Sequence, residues 1–169
     1  SGAWDAVAVG VMDELIDAAA ISRSRRMLRN ASSLPFAALG RSAKEVDGLN
    51  LRSRVDLVAA ALLADLPDSY ADAAVIVRAA LADPAFEGWI IWPVGEAMTT
   101  LALAAGDEAF DDGLAMMADL TPRFSSEFAI RRFLSTDLDR ALPTVASWTQ
   151  HADPHVRRLA SEGTRSYLP

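Results

Sequence analysis

Three pairs of side chains sit four residues apart, the spacing that puts both members on one face of a helix: Trp92 with Glu96, Glu127 with Arg131, and Arg158 with Glu162. Together they supply an indole, three carboxylates and two guanidinium groups. Carboxylates stabilise positive charge and handle protons, an aromatic face attracts a cation, and the guanidinium fork matches phosphate. The same residues have a plainer reading. Glu–Arg pairs at this spacing are common surface salt bridges worth about 0.3–0.5 kcal/mol, and a helical Trp usually packs in a core. Spacing alone leaves both readings open.

The elements that must position these groups are helices. Residues 51–65 repeat apolar positions at spacings of three and four and stop at Leu66-Pro67-Asp68-Ser69. The same logic predicts helices near 4–19, 22–31, 69–82, 93–105, 109–119, 124–135, 138–151 and 155–166, separated by Pro, Gly, Asp and Asn. Pro93 suits a first helical turn, whereas Pro143 falls inside a helical pattern and should kink it or shift its start. Residues 32–49, rich in Ser, Gly and Asn, read as short turns with one weak helix. No strand is expected.

An internal repeat organises these helices. Ala82-Asp83-Pro84 recurs as Ala152-Asp153-Pro154, 70 residues later, with Ala118-Asp119 near the midpoint. Arg123-Phe-Ser-Ser-Glu127 and Arg158-Leu-Ala-Ser-Glu162 match as R-Φ-x-S-E at a separation of 35, and 35 residues before Glu127 stands Trp92. A period of about 35 with two helices per repeat predicts an all-α, HEAT-like solenoid of stacked antiparallel helix pairs. Trp92, Glu127 and Glu162 would then fall in register along one concave groove.

Composition agrees with a globular chain. Hydrophobic residues make up 51% and charged ones 23% of 169 residues, too apolar a mixture for disorder. Without cysteine there is no disulfide, thiolate metal site or cysteine nucleophile, and a cytoplasmic location is expected. No apolar run approaches the ~18 residues of a membrane span. The net charge of −7 argues against nucleic acid as a partner until its distribution is considered. Residues 1–120 carry 9 basic against 18 acidic groups, but residues 121–169 carry 7 arginines against 5 acids. Any phosphate contact would therefore be confined to one face.

Phe124-Ser-Ser-Glu-Phe-Ala-Ile-Arg-Arg-Phe-Leu134, then Trp148, then His155-Val-Arg-Arg-Leu-Ala-Ser-Glu-Gly-Thr-Arg165 closely resemble the AlkC branch of the HEAT-like alkylpurine DNA glycosylases. Gly88-Trp-Ile-Ile-Trp-Pro-Val-Gly-Glu96 is similar to that branch's tryptophan-proline-acid helix. The resemblance spans about residues 50–169. It implies excision of cationic alkylated purines such as 3-methyladenine from double-stranded DNA, without a base-flipping pocket, metal or organic cofactor. Such a purine is already a good leaving group, so the enzyme need only stabilise an oxocarbenium-like sugar and position a water. A carboxylate about 4 Å from that charge contributes roughly 4 kcal/mol at an effective dielectric near 20, on the order of a thousandfold in rate.

By this resemblance Glu96 and Glu127 are the catalytic candidates, with Trp92 beside them. Arg131, Arg157, Arg158 and Arg165 are expected to hold phosphates. Glu162 either supports the site or, the favoured reading, merely orients Arg158, and Trp148 is either a supporting groove residue or, more simply, core. Arg23, Arg25, Arg26 and Arg29 form a separate basic helix, read either as reaching flanking DNA or as a solvated face. His151 and His155 have ligand-like spacing, but Pro154 interrupts them and no metal is expected. The family continues past the equivalent of Arg165 with further repeats and another acidic residue, whereas this chain reads Arg165-Ser-Tyr-Leu-Pro169. The expectation is one HEAT-like domain over 3–169 lacking those C-terminal repeats, with self-association through the uncapped end. The alternative function is a non-catalytic solenoid that binds DNA or a protein partner through the concave face.

Overall fold

The structure, a computed structural model, describes residues 14–167. Among them lie nine α-helices and no strand: α1 (Ala18–Ser32), α2 (Ala37–Glu45), α3 (Leu51–Asp65), α4 (Tyr70–Leu81), α5 (Ile91–Ala105), α6 (Asp107–Leu120), α7 (Glu127–Thr136), α8 (Leu138–Ser147) and α9 (Pro154–Gly163). Single 3-10 turns occupy Glu14–Ile16 and Trp148–Gln150.

Local chemistry explains most helix starts. Asp17, Asn50, Ser69, Asp137 and Asp153 each accept a backbone N–H of the first turn, the usual means of satisfying donors that lack an intrahelical partner. Helix α1 corrects the break expected between residues 19 and 22. Asp17 starts it, and it runs straight through Ile21, which is fully buried. The part of the first expected helix that precedes residue 14 lies outside the described residues. Helix α2 is firmer than the weak element expected over 32–49. Its N-cap, Phe36, has a left-handed backbone (φ 46°) and no capping side chain. Asp65, at the far end of α3, accepts the Ala38 and Leu39 amides at 3.1 and 2.8 Å instead.

The helices pack in two rows. Neighbours α2, α3, α5, α7 and α9 form the first, and α1, α4 and α6 form the second, with α8 pinned to α6 by Arg140. From α3 onward the first-row helices begin at Leu51, Ile91, Glu127 and Pro154, a mean advance of about 34 residues that shortens from 40 to 27 along the chain. The first pair is connected in the reverse sense, since α1 lies in the second row and α2 in the first. The buried core runs continuously between the rows, from Ile16 and Leu28 to Val156 and Leu159.

Two glycines permit the closest helix contacts. A Cβ on Gly113 of α6 would meet the Ala102 Cβ of α5 at 2.5 Å and the Phe133 ring of α7 at 3.1 Å. One on Gly163 of α9 would collide with the Ile130 side chain of α7. On the second row, polar groups hold adjacent helices together. Arg78 of α4 pairs with Asp112 and Asp119 of α6, and Arg140 of α8 pairs with Asp107 and Asp111. The Tyr70 hydroxyl donates to Asp112 at 2.7 Å. The Arg78 hydrogen bond holds the Asp112 carboxyl below the usual carboxylate range. Burial, then the bond to Asp112, pushes the Tyr70 phenol above its ordinary range.

Candidate functional site

The turn before α5 sets the direction of the tryptophan-proline segment. Gly88 has φ +87°, a backbone that favours glycine, and its amide donates to the Arg123 carbonyl at 3.1 Å. Arg123 in turn donates from Nη1 to the Asp83 and Phe86 carbonyls and from Nη2 to the Leu81 carbonyl. One arginine thus ties the loop after α4 to the loop after α6. Pro93, third residue of α5, lies where an N–H would have no intrahelical acceptor, so it costs nothing there. Trp92 and Glu96 consequently lie one turn apart on the same face.

Across from them, α7 presents Phe128 and Arg132. The Trp92 and Phe128 rings stack with centroids 5.0 Å apart and planes inclined by 17°. Arg132 Nη1 donates to the Glu96 carboxylate at 3.1 Å and to its carbonyl at 3.2 Å, while Nη2 donates to the Thr100 hydroxyl. Both cross-helix pairs are 36 residues apart. The true register partner of Trp92 is therefore Phe128, and the 35-residue alignment of Trp92 with Glu127 is displaced by one position, which on a helix turns the side chain by about 100°.

The R-Φ-x-S-E match is likewise not a structural equivalence. Arg123 and Glu127 lie in a loop and at the first position of α7, whereas Arg158 and Glu162 lie inside α9. The anticipated single groove is divided. Glu96 faces Arg132 between α5 and α7, while Glu127, Glu162, Arg158 and His155 line a small pocket between α7 and α9. Arg131 links the two halves. It bonds Glu127 at 2.7 Å, and its guanidinium lies 5.7 Å from the Phe128 ring centre.

The aromatic group extends further in both directions. Trp89 contacts Phe124 at 4.7 Å and Trp92 at 6.4 Å between ring centres, and the Arg52 guanidinium of α3 lies 5.9 Å from the Trp92 ring. Arg52, Trp92, Phe128 and Arg131 thus run in sequence across α3, α5 and α7. Phe128 is 49% exposed, one of the few large apolar side chains so open. Glu96 retains only 14% of its side-chain surface and Glu127 29%. The Trp92 indole nitrogen is buried without a hydrogen-bond partner among the described residues. Such an unpaired donor costs about 1–3 kcal/mol.

The remaining expected residues fall as follows. Arg158 is exposed and pairs with Glu162 at 3.0 Å. Arg157 donates to the His151 and Ala152 carbonyls and so braces the turn before α9. Arg165 is exposed in the turn after α9. Trp148 is buried in the 3-10 turn after α8, the simpler core reading rather than a groove position. Pro154 opens α9, leaving His151 outside it, where its Nδ1 accepts the Asp153 amide. Tyr167 is half-buried and its hydroxyl lies 3.3 Å from that of Ser135.

Sequence reasoning missed Arg52, Phe128, Arg132 and Arg123. Phe128 and Arg132 belonged to the quoted motif, and a 36-residue register would have paired them with Trp92 and Glu96. Arg123 opened the R-Φ-x-S-E match, but that match does not point to its partners, which are backbone carbonyls.

No family model matches the chain. Over 123 residues, 72% of its length, it is 34% identical to the uncharacterized protein YhaZ of Bacillus subtilis (strain 168). Among solved structures it is similar to the Pseudomonas fluorescens alkylpurine DNA glycosylase AlkC bound to DNA containing an abasic site analog, with a TM-score of 0.78 and 25% identity over 94% of this chain. The chain spans 32% of YhaZ and 43% of AlkC. It therefore shares the helical solenoid of AlkC along nearly all of its own length.

Proposed function

We propose that the first-row face of α3, α5 and α7 binds alkylated double-stranded DNA and hydrolyses the N-glycosidic bond of a cationic purine such as 3-methyladenine. The observation that carries this reading is the run Arg52, Trp92, Phe128 and Arg131, with Glu96 and Glu127 at its margins. The likeness to AlkC supports it. Arg52 and Arg131 supply cations for phosphates, and the exposed Phe128 edge offers an aromatic surface to a base or sugar.

The reaction needs little else from the protein. As the C1′–N bond breaks, its electron pair passes to the purine and cancels the positive charge there, leaving an oxocarbenium-like sugar. Glu96 or Glu127, each on its own side of the divided face, stabilises that charge as it develops. Water adds to C1′, its proton passes to a carboxylate, and the products are a neutral methylated purine and an abasic site. A cationic base gains about 0.5–1 kcal/mol over a neutral one at an exposed aromatic ring such as Phe128, which favours damaged over normal purines.

One observation favours a second reading. Both carboxylates already have arginine partners, Glu96 with Arg132 and Glu127 with Arg131, so each enters the site partly neutralised. A solenoid that binds DNA without cleaving the glycosidic bond would tolerate this. Measuring 3-methyladenine released from methylated duplex separates the two. Release at a rate above that of protein-free DNA supports hydrolysis, and salt-dependent binding without release supports the second reading.

A further inference from the structure

A groove of about 590 Å³ runs along α1 where α2 crosses it, and it shares no lining residue with the aromatic run. Ser22, Arg25, Arg26 and Arg29 line it from α1 and Lys44 from α2, and among the described residues no carboxylate is in its wall. This stands out in a chain of net charge −7. Arg25 is committed to structure. Its Nε donates to the Phe36 carbonyl at 2.9 Å and its Nη2 to the Pro35 carbonyl at 3.0 Å, while Gly40 leaves room for the guanidinium, which a Cβ there would meet at 3.1 Å. Arg26, Arg29 and Lys44 have no ion-pair partner among the described residues, and all three are exposed. Three cations without an ion-pair partner around a fixed fourth, in a concave surface free of acids among the described residues, attract an anion bearing several oxygens.

We propose that this groove holds backbone phosphates of the same duplex that lies across the aromatic face, a reading that rests on the proposed function. Lys44 stands one residue before the end of α2, and Arg52 is the second residue of α3. Eight residues of chain span at most about 29 Å, so Lys44 and Arg52 are separated by no more than about nine base pairs' length of a duplex. The contacts are to phosphate, and they position the DNA without reading its sequence.

Lys44 is the only lysine of the chain, which makes it a direct reporter. Amine acylation followed by mass spectrometry should modify Lys44 in the free protein. A 20-base-pair duplex should protect it severalfold, and inorganic phosphate at equal phosphate concentration should not. Arg26→Gln/Arg29→Gln should lower the slope of log affinity against log salt by about 0.9 per lost contact, while Arg41→Gln, outside the groove, leaves it unchanged. Protection needs no variant, so it decides the matter even if the double variant misfolds. Duplex binding with Lys44 still fully reactive would overturn the groove assignment alone, as would protection by phosphate but not duplex, which would make the occupant a free anion. Failure to bind any duplex would overturn the proposed function with it.

Discussion

The Trp92 indole lies flat against the Phe128 ring, 5.0 Å between centres, and this contact joins α5 to α7 on the face that also carries Glu96 and Arg132. An aromatic pair of this kind adds about 0.5–1.5 kcal/mol beyond its buried area. Phe128 is half-exposed, so the contact leaves one ring edge for a ligand.

Phe128→Ala should therefore affect DNA more than folding. Thermal unfolding should show a loss of about 1 kcal/mol, while fluorescence anisotropy should show duplex affinity falling on the order of tenfold, the size of one lost base–aromatic contact. A full loss of affinity recovered by Phe128→Leu would point to bulk rather than ring stacking.

Glu96 and Arg132 should behave as a coupled pair. Arg132 also bonds the Glu96 carbonyl and Thr100, so its removal loosens the carboxylate against α5. A double-mutant cycle with Glu96→Gln and Arg132→Gln, read by denaturant unfolding, should give a coupling of about 1 kcal/mol or less for this partly exposed pair. Additive losses would mean the two groups act independently.

The glycine contact between α5 and α6 should be intolerant of even a methyl group. Gly113→Ala places its Cβ against Ala102 and Phe133, neither of which has a flexible end to withdraw. Overpacking of about 1–3 kcal/mol exceeds the helix-propensity gain of about 1 kcal/mol for replacing glycine. The melting temperature should fall by several degrees, and Ala102→Gly in the same chain should restore part of it.

Stability should depend on pH at both extremes through the second row. Asp112 has a folded pKa held low by the Arg78 hydrogen bond, so its contribution is present above the ordinary carboxylate value and is lost as pH falls through the lowered one. Tyr70 is shifted upward, so its contribution is complete below about pH 10 and is lost as pH rises beyond it. Urea unfolding across pH should show Asp112→Asn flattening the acid limb and Tyr70→Phe flattening the alkaline limb. An unchanged alkaline limb in Tyr70→Phe would contradict the assignment.

The helices whose signals are local were legible in the sequence. Ser69 and Asp153 cap what their positions suggest, and Pro93 sits where a first turn accepts it. What was hidden depended on distant partners. Asp65 starts α2 from 26 and 27 residues away, and Arg123 joins two loops through carbonyls that any sequence would supply. The site was half legible for the same reason. Trp92, Glu96 and Glu127 were singled out, but a one-residue error in the repeat concealed that Phe128 and Arg132 face the first two. Only packing resolves such an error, because neighbouring residues on a helix point in directions about 100° apart.

The most direct test is single-turnover release of 3-methyladenine from methylated duplex DNA by the chain and by its Glu96→Gln and Glu127→Gln variants, which keep their shape and lose their charge. A carboxylate that stabilises the developing sugar cation predicts a rate loss on the order of a hundredfold or more, with duplex affinity nearly unchanged. Release that proceeds at the same rate in both variants, or no release by the chain while it binds duplex tightly, would contradict the assignment of this face as a glycosylase site.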